Sequence, residues 1–192
     1  MSSPDVAPSA AGADLVTIRG QLPGERVEVR DVITRSFGGR VVADLVEALQ
    51  DAPTGADGLS FVADVGGLVV GHVQLSRSWV DAPTRLAEVL VLSPLGVVPE
   101  YQRQGIGGRL VRYALGEAER VGAPAVFLEG SPHYYARFGF ETASQRGFTA
   151  PSVRIPDAAF QVVTLAAFEP WMTGALVYAE QFWALDCVGL RS

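Results

Sequence analysis

The stretch that decides the fold is Leu90–Leu110, LVLSPLGVVPEYQRQGIGGRL. It opens apolar and β-branched, which predicts a strand, and the strand stops at Pro99. A short polar segment, Glu100–Gln104, leads to Gly105-Ile106-Gly107-Gly108. From Ile106 onward apolar residues recur at helical spacing: Ile106, Leu110, Ala114 and Val121, with Val111, Leu115 and Ala118 beside them. A strand feeding a glycine-rich turn that opens a helix gathers unpaired backbone N–H groups and the positive end of the helix dipole at one place. Such a place suits a phosphate or pyrophosphate.

Working outward, Gly122-Ala123-Pro124 ends that helix and Ala125–Glu129 reads as a buried strand. Strand, helix and strand make a βαβ unit with parallel strands. Upstream, Leu59–Val65 and Leu68–Leu75 flank Gly66-Gly67 as a hairpin. Arg77–Arg85, containing Trp79 and Pro83, reads as a longer connection into the strand Leu86–Val98. Nearer the N-terminus, Leu15–Arg19 is a short β-like run. Gly24–Phe37 is a helix with Val29, Val32, Ile33 and Phe37 on one face, closed by Gly38-Gly39. Val42, Leu45, Val46 and Leu49 mark a second helix before the Asp51–Gly58 loop. Downstream, Pro132–Phe138 reads as a short helix and Phe140–Ala143 as the start of a strand. Phe160–Phe168 reads as another strand, and Gly174–Phe182 as a segment at a sheet edge.

The chain has 192 residues, 48% of them hydrophobic, enough to bury one core. Residues 1–13, MSSPDVAPSAAGA, read as a flexible tail with no signal-peptide character, leaving 14–192 as one domain. A formal charge of −6, no lysine and no arginine cluster argue against a nucleic-acid surface. The same negative balance mildly favours cationic, amine-bearing substrates. The single cysteine, Cys187, rules out an intramolecular disulfide, and the widely separated His72 and His133 do not make a zinc spacing. No apolar run reaches membrane-spanning length. A cytoplasmic protein without a metal is the expectation.

The central stretch also carries a resemblance. Gln102-Arg103-Gln104-Gly105-Ile106-Gly107, preceded by Leu95-Gly96-Val97-Val98-Pro99, resembles the acetyl-coenzyme A signature of the GNAT N-acetyltransferases. A second block agrees: Tyr135-Ala136-Arg137-Phe138-Gly139-Phe140 is similar to that family's later Tyr-x-x-x-Gly-Phe segment. Two ordered blocks are far more specific than one glycine motif. The resemblance covers Phe61–Phe140 well and the C-terminal third loosely, and it is greatest to the small YhbS-type bacterial branch. It implies a single α/β domain of the α+β type, with a mixed, splayed central sheet and helices on both faces. It also implies acetyl transfer from acetyl-coenzyme A to an amine in a ternary complex, and a homodimer.

Site residues follow in two groups. The glycines at 105, 107 and 108 let backbone N–H groups approach anionic oxygens, and Arg103 and Arg109 offer charge-assisted contacts. On the family's pattern, the diphosphate set comprises Gln102, Arg103, Gln104, Gly105, Ile106, Gly107, Gly108 and Arg109. The pattern likewise assigns main-chain groups of Val97 and Val98 to the pantetheine arm. Tyr135 stands four residues before Gly139, where the family places the tyrosine that protonates the leaving thiolate. Tyr134, its neighbour, reads as packing. The acceptor must be neutral to attack, and Glu88 is the candidate base, with His72 and His133 behind it. The acceptor is a small-molecule or peptide amine. Two rival readings are a noncatalytic acyl-coenzyme A-binding module on the same fold and an NAD-binding oxidoreductase. In the second, Gly105-x-Gly107 and Glu129 mimic a dinucleotide fingerprint and its ribose acid.

Overall fold

The computed structural model describes residues 16–52 and 59–189. The tail 1–13 and most of the Asp51–Gly58 loop lie outside the described residues. The strands are β1 (Val16–Gly20), β2 (Ser60–Val65), β3 (Leu68–Asp81), β4 (Leu86–Val97), β5 (Ala125–Glu129), β6 (Glu141–Thr142), β7 (Phe160–Thr164) and β8 (Ala175–Val177). The helices are α1 (Arg26–Phe37), α2 (Val41–Asp51), α3 (Ile106–Arg120), α4 (Pro132–Tyr135) and α5 (Glu180–Ala184). One mixed sheet runs β1-β2-β3-β4-β5-β7-β6. Past the end of β2, β8 pairs with Trp79–Asp81 of β3.

Helices cover both faces, and the strand alternation shows which covers which. Leu110 of α3 packs over Gly71, whereas Ile33 and Ser36 of α1 pack over Gly96. Gly71 pairs with Val97 and Gly96 with His72, so adjacent positions of β3 and β4 face opposite helices. On β5, Val126 and Leu128 join the cluster that includes Ile106, Leu110, Val111 and Ala114 of α3. Ala125 and Phe127 join the cluster that includes Leu45 of α2, Leu176, Tyr178 and Phe182. Burial of side chains such as Leu110 and Phe127 is the main stabilising term; truncating one to alanine costs about 2–5 kcal/mol. Val121, at the end of the predicted apolar stripe, caps α3 and is exposed.

The predicted connection Arg77–Arg85 is mostly strand. Arg77–Asp81 continue β3 and pair with Leu86–Leu90, leaving Ala82–Arg85 as the turn. The sequence misleads here because His72, Gln74, Ser76 and Ser78 are all buried, so the inward positions of a central strand read as polar. A side-chain network joins the upper part, leaving His72 Nδ1 without a partner: Ser60 Oγ lies 2.8 Å from His72 Nε2, and Gln50 Nε2 donates to Gln74 at 3.1 Å and Gln21 at 2.9 Å. The strand predicted over Phe160–Phe168 ends at Thr164. Gly174–Phe182 divides into β8 and the first turn of α5.

Candidate active site

β4 and β5 are held together at two positions, Leu90 with Val126 and Val91 with Phe127. Beyond Val91 the strands part, although β4 continues to Val97 and β5 to Glu129. The parting coincides with a register shift on the other side of β4, where Val73 pairs with Leu95 but Leu75 with Leu92. The second half of β4 therefore presents an unpaired edge to a gap. The Val98 N–H is committed to the Val70 carbonyl at 2.9 Å. In an antiparallel ladder alternate residues turn their polar groups to opposite edges. Val97, and by the same alternation Leu95, thus face the gap, while Val98 faces β3. Gln102 Nε2 donates to the Val97 carbonyl at 2.9 Å, which leaves the Val97 N–H directed at the gap.

The gap leads to the start of α3. Arg103 (φ 60°) and Gly105 (φ 83°) take left-handed backbone conformations, and Gly105 is the N-cap. The first helical bond is donated by the Arg109 N–H to the Gly105 carbonyl, so the N–H groups of Ile106, Gly107 and Gly108 precede any intrahelical acceptor. The space that a Cβ on Gly105 would enter is empty. The other side chains of the turn have separate duties. The Ile106 side chain is core, and Gln104 Nε2 donates to the Glu100 carbonyl at 3.1 Å. Arg109 departs from the expectation: its guanidinium donates to the Val16 carbonyl at 2.6 Å, tying α3 to β1. Arg112, not singled out in the sequence, folds back toward the Gly108 carbonyl and over Phe138.

The two tyrosines of α4 part as helical spacing predicts. The Tyr135 ring lies against Gly130 and Leu128 and packs edge-on to Phe140 at 5.7 Å. Its hydroxyl makes no hydrogen bond among the described residues and is not fully buried. Its tip therefore reaches open space. Burial pushes the phenol well above its ordinary value, with the neighbouring Tyr134 adding to the shift, so the group stays protonated. Tyr134 instead brings its hydroxyl onto the first turn of α3, 2.7 Å from where a Cβ on Gly107 would sit. Arg137 covers its ring at 4.2 Å. Tyr134 is thus more than packing: it closes the turn from the α4 side.

The expected base does not reach the gap. Glu88 lies on β4 three residues before Val91, ~10 Å below the parting of the strands. It is exposed, 3.4 Å from Arg77, beside a groove of about 230 Å³ at the far end of α3. His72 is wholly buried, and burial holds its pKa down at about 3, so it is neutral. His133 is exposed on α4. Cys187 donates to the Leu185 carbonyl, and burial raises its thiol, contrary to what a nucleophile needs.

The acidic residue on the strand that borders the gap is Glu129. It ends β5, two residues past the last pair with β4, on the face shared with Phe127 and opposite Leu128. Tyr178 donates to its Oε1 at 2.9 Å and the Gly189 N–H to its Oε2 at 3.1 Å. Although the residue as a whole is exposed, desolvation of its carboxyl raises the pKa, with the two hydrogen bonds and Arg154 pulling the other way. In the sequence Glu129 stood out only as a mock ribose acid, and its partners lie 49 and 60 residues away. Among the described residues no group of His, Cys, Asp and Glu could hold a metal ion, and no helix is long and apolar enough to cross a membrane.

Residues 27–140 match the acetyltransferase (GNAT) family, a span reaching from α1 through the Tyr-x-x-x-Gly-Phe block. The Escherichia coli (strain K12) N-acetyltransferase YjhQ is 35% identical over 157 residues, 80% of this chain and 86% of that one. YhbS of the same strain is 33% identical over 169 residues, 86% and 97%. Among solved structures, E. coli YhbS in complex with CoA superposes with a TM-score of 0.77 at 29% identity, covering 93% of this chain and 95% of that one. A Brucella melitensis family member in complex with acetyl-CoA gives 0.70 at 29% identity, covering 87% and 97%. The sheet order is not that of a doubly wound dinucleotide fold, which removes the oxidoreductase reading. Sequence, sheet and relatives agree over most of the length, and the chain belongs to the GNAT acetyltransferase family.

Proposed function

We propose that this protein transfers an acetyl group from acetyl-coenzyme A directly to a primary amine, both bound at once. The observation that carries the reading is the unpaired edge of β4 running into the open N-terminus of α3. The residues present fit the donor. The N–H groups of Ile106, Gly107 and Gly108, with Arg103 beside them, suit a diphosphate. The Val97 N–H suits an amide carbonyl of the pantetheine arm, lying along β4 as an added strand would. Gln102 and Gln104 brace the turn through main-chain carbonyls, and Arg109 anchors the helix it opens.

Bound there, the thioester supplies an activated acetyl carbonyl and a thiolate leaving group. The amine nitrogen forms the new C–N bond as the C–S bond breaks. Tyr135 holds a proton on its raised-pKa hydroxyl and gives it to the departing sulfur, restoring its own proton from solvent. A cytoplasmic setting belongs to the same proposal. The acceptor class is a small-molecule or peptide amine.

The test is acetyl-coenzyme A consumption by the full chain against pooled amines, alongside Tyr135→Phe. Turnover by wild type that falls ~10²–10⁴-fold in the variant supports the reading. Binding of acetyl-coenzyme A without turnover of any amine would instead make this a noncatalytic acyl-coenzyme A-binding module.

A further inference from the structure

We propose that the groove at the far end of α3 is a second binding site, which takes a free α-amino acid with an apolar side chain and holds it through both of its charges by Arg77 and Glu88. The site is separate from the donor turn and does not depend on acetyl transfer.

The groove forms where the helical cover of the sheet ends. Leu75 and Leu90 belong to the cluster that packs on α3. Arg77 lies two residues beyond Leu75, and Glu88 two residues before Leu90, so both point to that same face. α3 stops at Arg120, and the chain turns through Val121–Pro124 into β5. Leu59 and Leu90 make an apolar floor, Val121 and Pro124 a wall, and Arg77 and Glu88 the rim. The space is about 230 Å³. Sites for drug-sized molecules run about 300–1,000 Å³, so this one selects something smaller. Because α3 has 15 residues, its two ends stand ~22 Å apart, and a ligand here leaves the donor turn free.

The pair at the rim is loose. Arg77 stands opposite Leu90 and diagonal to Glu88, and its Nε comes no nearer than 3.4 Å to the Glu88 carboxylate. Neither side chain makes a hydrogen bond among the described residues, and they are 45% and 57% exposed. Arg35, by contrast, donates to both oxygens of Glu100 at 2.7 and 2.8 Å. The forked edge of the Arg77 guanidinium is thus left for a ligand, as are the lone pairs of Glu88. A lone anion drawn to Arg77 would be repelled by Glu88, and a lone cation would meet the reverse. A zwitterion satisfies both, its carboxylate on the guanidinium fork and its ammonium on Glu88. An α-amino acid carries those charges one carbon apart, which suits receptors that are already adjacent.

The end of α3 strengthens the cationic side. The carbonyls of Val121 and Gly122 accept no main-chain hydrogen bond among the described residues, and Pro124 has no N–H to offer. They lie along the same wall, at the negative end of the helix dipole, which favours an ammonium group. With both charges held at the rim, the ligand's side chain descends onto Leu59 and Leu90, which are buried and apolar.

The test is isothermal titration of L-leucine, L-valine and L-methionine into the full chain, repeated with saturating coenzyme A. At least one should bind with a Kd below about 1 mM, and that Kd should not change when coenzyme A is present. The N-acetyl derivative of that amino acid lacks the ammonium and its amide lacks the carboxylate; each should bind ~10–100-fold more weakly. Arg77→Gln and Glu88→Gln should each weaken the free amino acid by the same range. Arg77→Gln should also erase the penalty of the amide, and Glu88→Gln that of the N-acetyl derivative. Both side chains are half exposed, so each variant should keep the wild-type Tm. Failure of all three amino acids to bind overturns the proposal. Binding that neither substitution weakens, or that coenzyme A displaces, overturns it too, since the ligand would then sit elsewhere on the molecule.

Discussion

Gly105→Ala isolates the turn on which the donor site depends. Gly105 is the N-cap of α3 at φ 83°, and no atom lies within 4 Å of the place a Cβ would occupy. The substitution therefore creates no clash, and its cost is the left-handed backbone alone, about 1–2 kcal/mol. For a chain of this size that lowers Tm by about 2–8 °C. Gly116→Ala is the control: Gly116 is exposed inside the same helix, also with empty space around its Cα. There alanine should stabilise by about 0.8–1 kcal/mol and raise Tm by about 2–4 °C. Acetyl-coenzyme A at a hundred times its Kd should stabilise wild type by about 2.7 kcal/mol, about 5–11 °C. The new methyl at 105 stands in the open space where the anion would approach, so Gly105→Ala should lose most of that ligand shift while Gly116→Ala keeps it. Differential scanning fluorimetry with and without ligand reads all five shifts. A Gly105→Ala protein with the full ligand shift would refute the placement of the diphosphate.

Other outcomes follow from single contacts. Tyr135→Phe should reduce kcat by ~10²–10⁴-fold while leaving the KM for acetyl-coenzyme A nearly unchanged, as steady-state kinetics would show. His72 is neutral in the folded state down to about pH 3, whereas an unfolded histidine takes a proton near 6.5. Between those values each unit of acidification costs up to about 1.4 kcal/mol, so urea melts of His72→Gln should show a flatter decline of stability from pH 6 to pH 4. Arg19 bonds both Glu25 and Asp64, holding each carboxyl below its ordinary value. That contribution is complete above the ordinary carboxylate values and fades as pH falls through the lowered ones. Arg19→Met should therefore be less stable at pH 7, with its melting curve converging on wild type in acid.

The donor half of the proposed site is written locally. A strand, a turn and a helix written in one run of sequence place the Val97 amide and the first amides of α3 together without help from distant residues. The two-residue glycine turn after Val65 and the apolar spacing of α3 were equally direct. Only the first half of β3, Leu68–Leu75, was; beyond it the buried Ser76 and Ser78 imitate a loop, and only tertiary packing reveals them as inward-facing. Glu88 was misplaced for a related reason. Its strand was read correctly, but a strand read from sequence does not say at which end its neighbour will diverge. The duty of Arg109 was hidden too, since its acceptor is a carbonyl 93 residues away.

The acceptor half is illegible for a structural reason rather than for want of a motif. The donor carries a diphosphate and amides, which main chain can bind, and main chain binds through backbone shape encoded by neighbouring residues. An acceptor amine offers a charge and a proton, which only side chains can receive, and side chains can converge from anywhere in the fold. Side chains and main chain from β8 and the segment beyond it converge on Glu129 at the end of β5. The pairing of Trp79–Asp81 with Ala175–Val177 brings Tyr178 to the end of β5, and the turn after α5 returns the Gly189 N–H to the same carboxylate. None of these contacts touches the β4–α3 turn. Changes in the C-terminal segment should accordingly leave acetyl-coenzyme A affinity where it was. Isothermal titration of acetyl-coenzyme A into Tyr178→Phe would expose the flaw in this separation if the Kd rose.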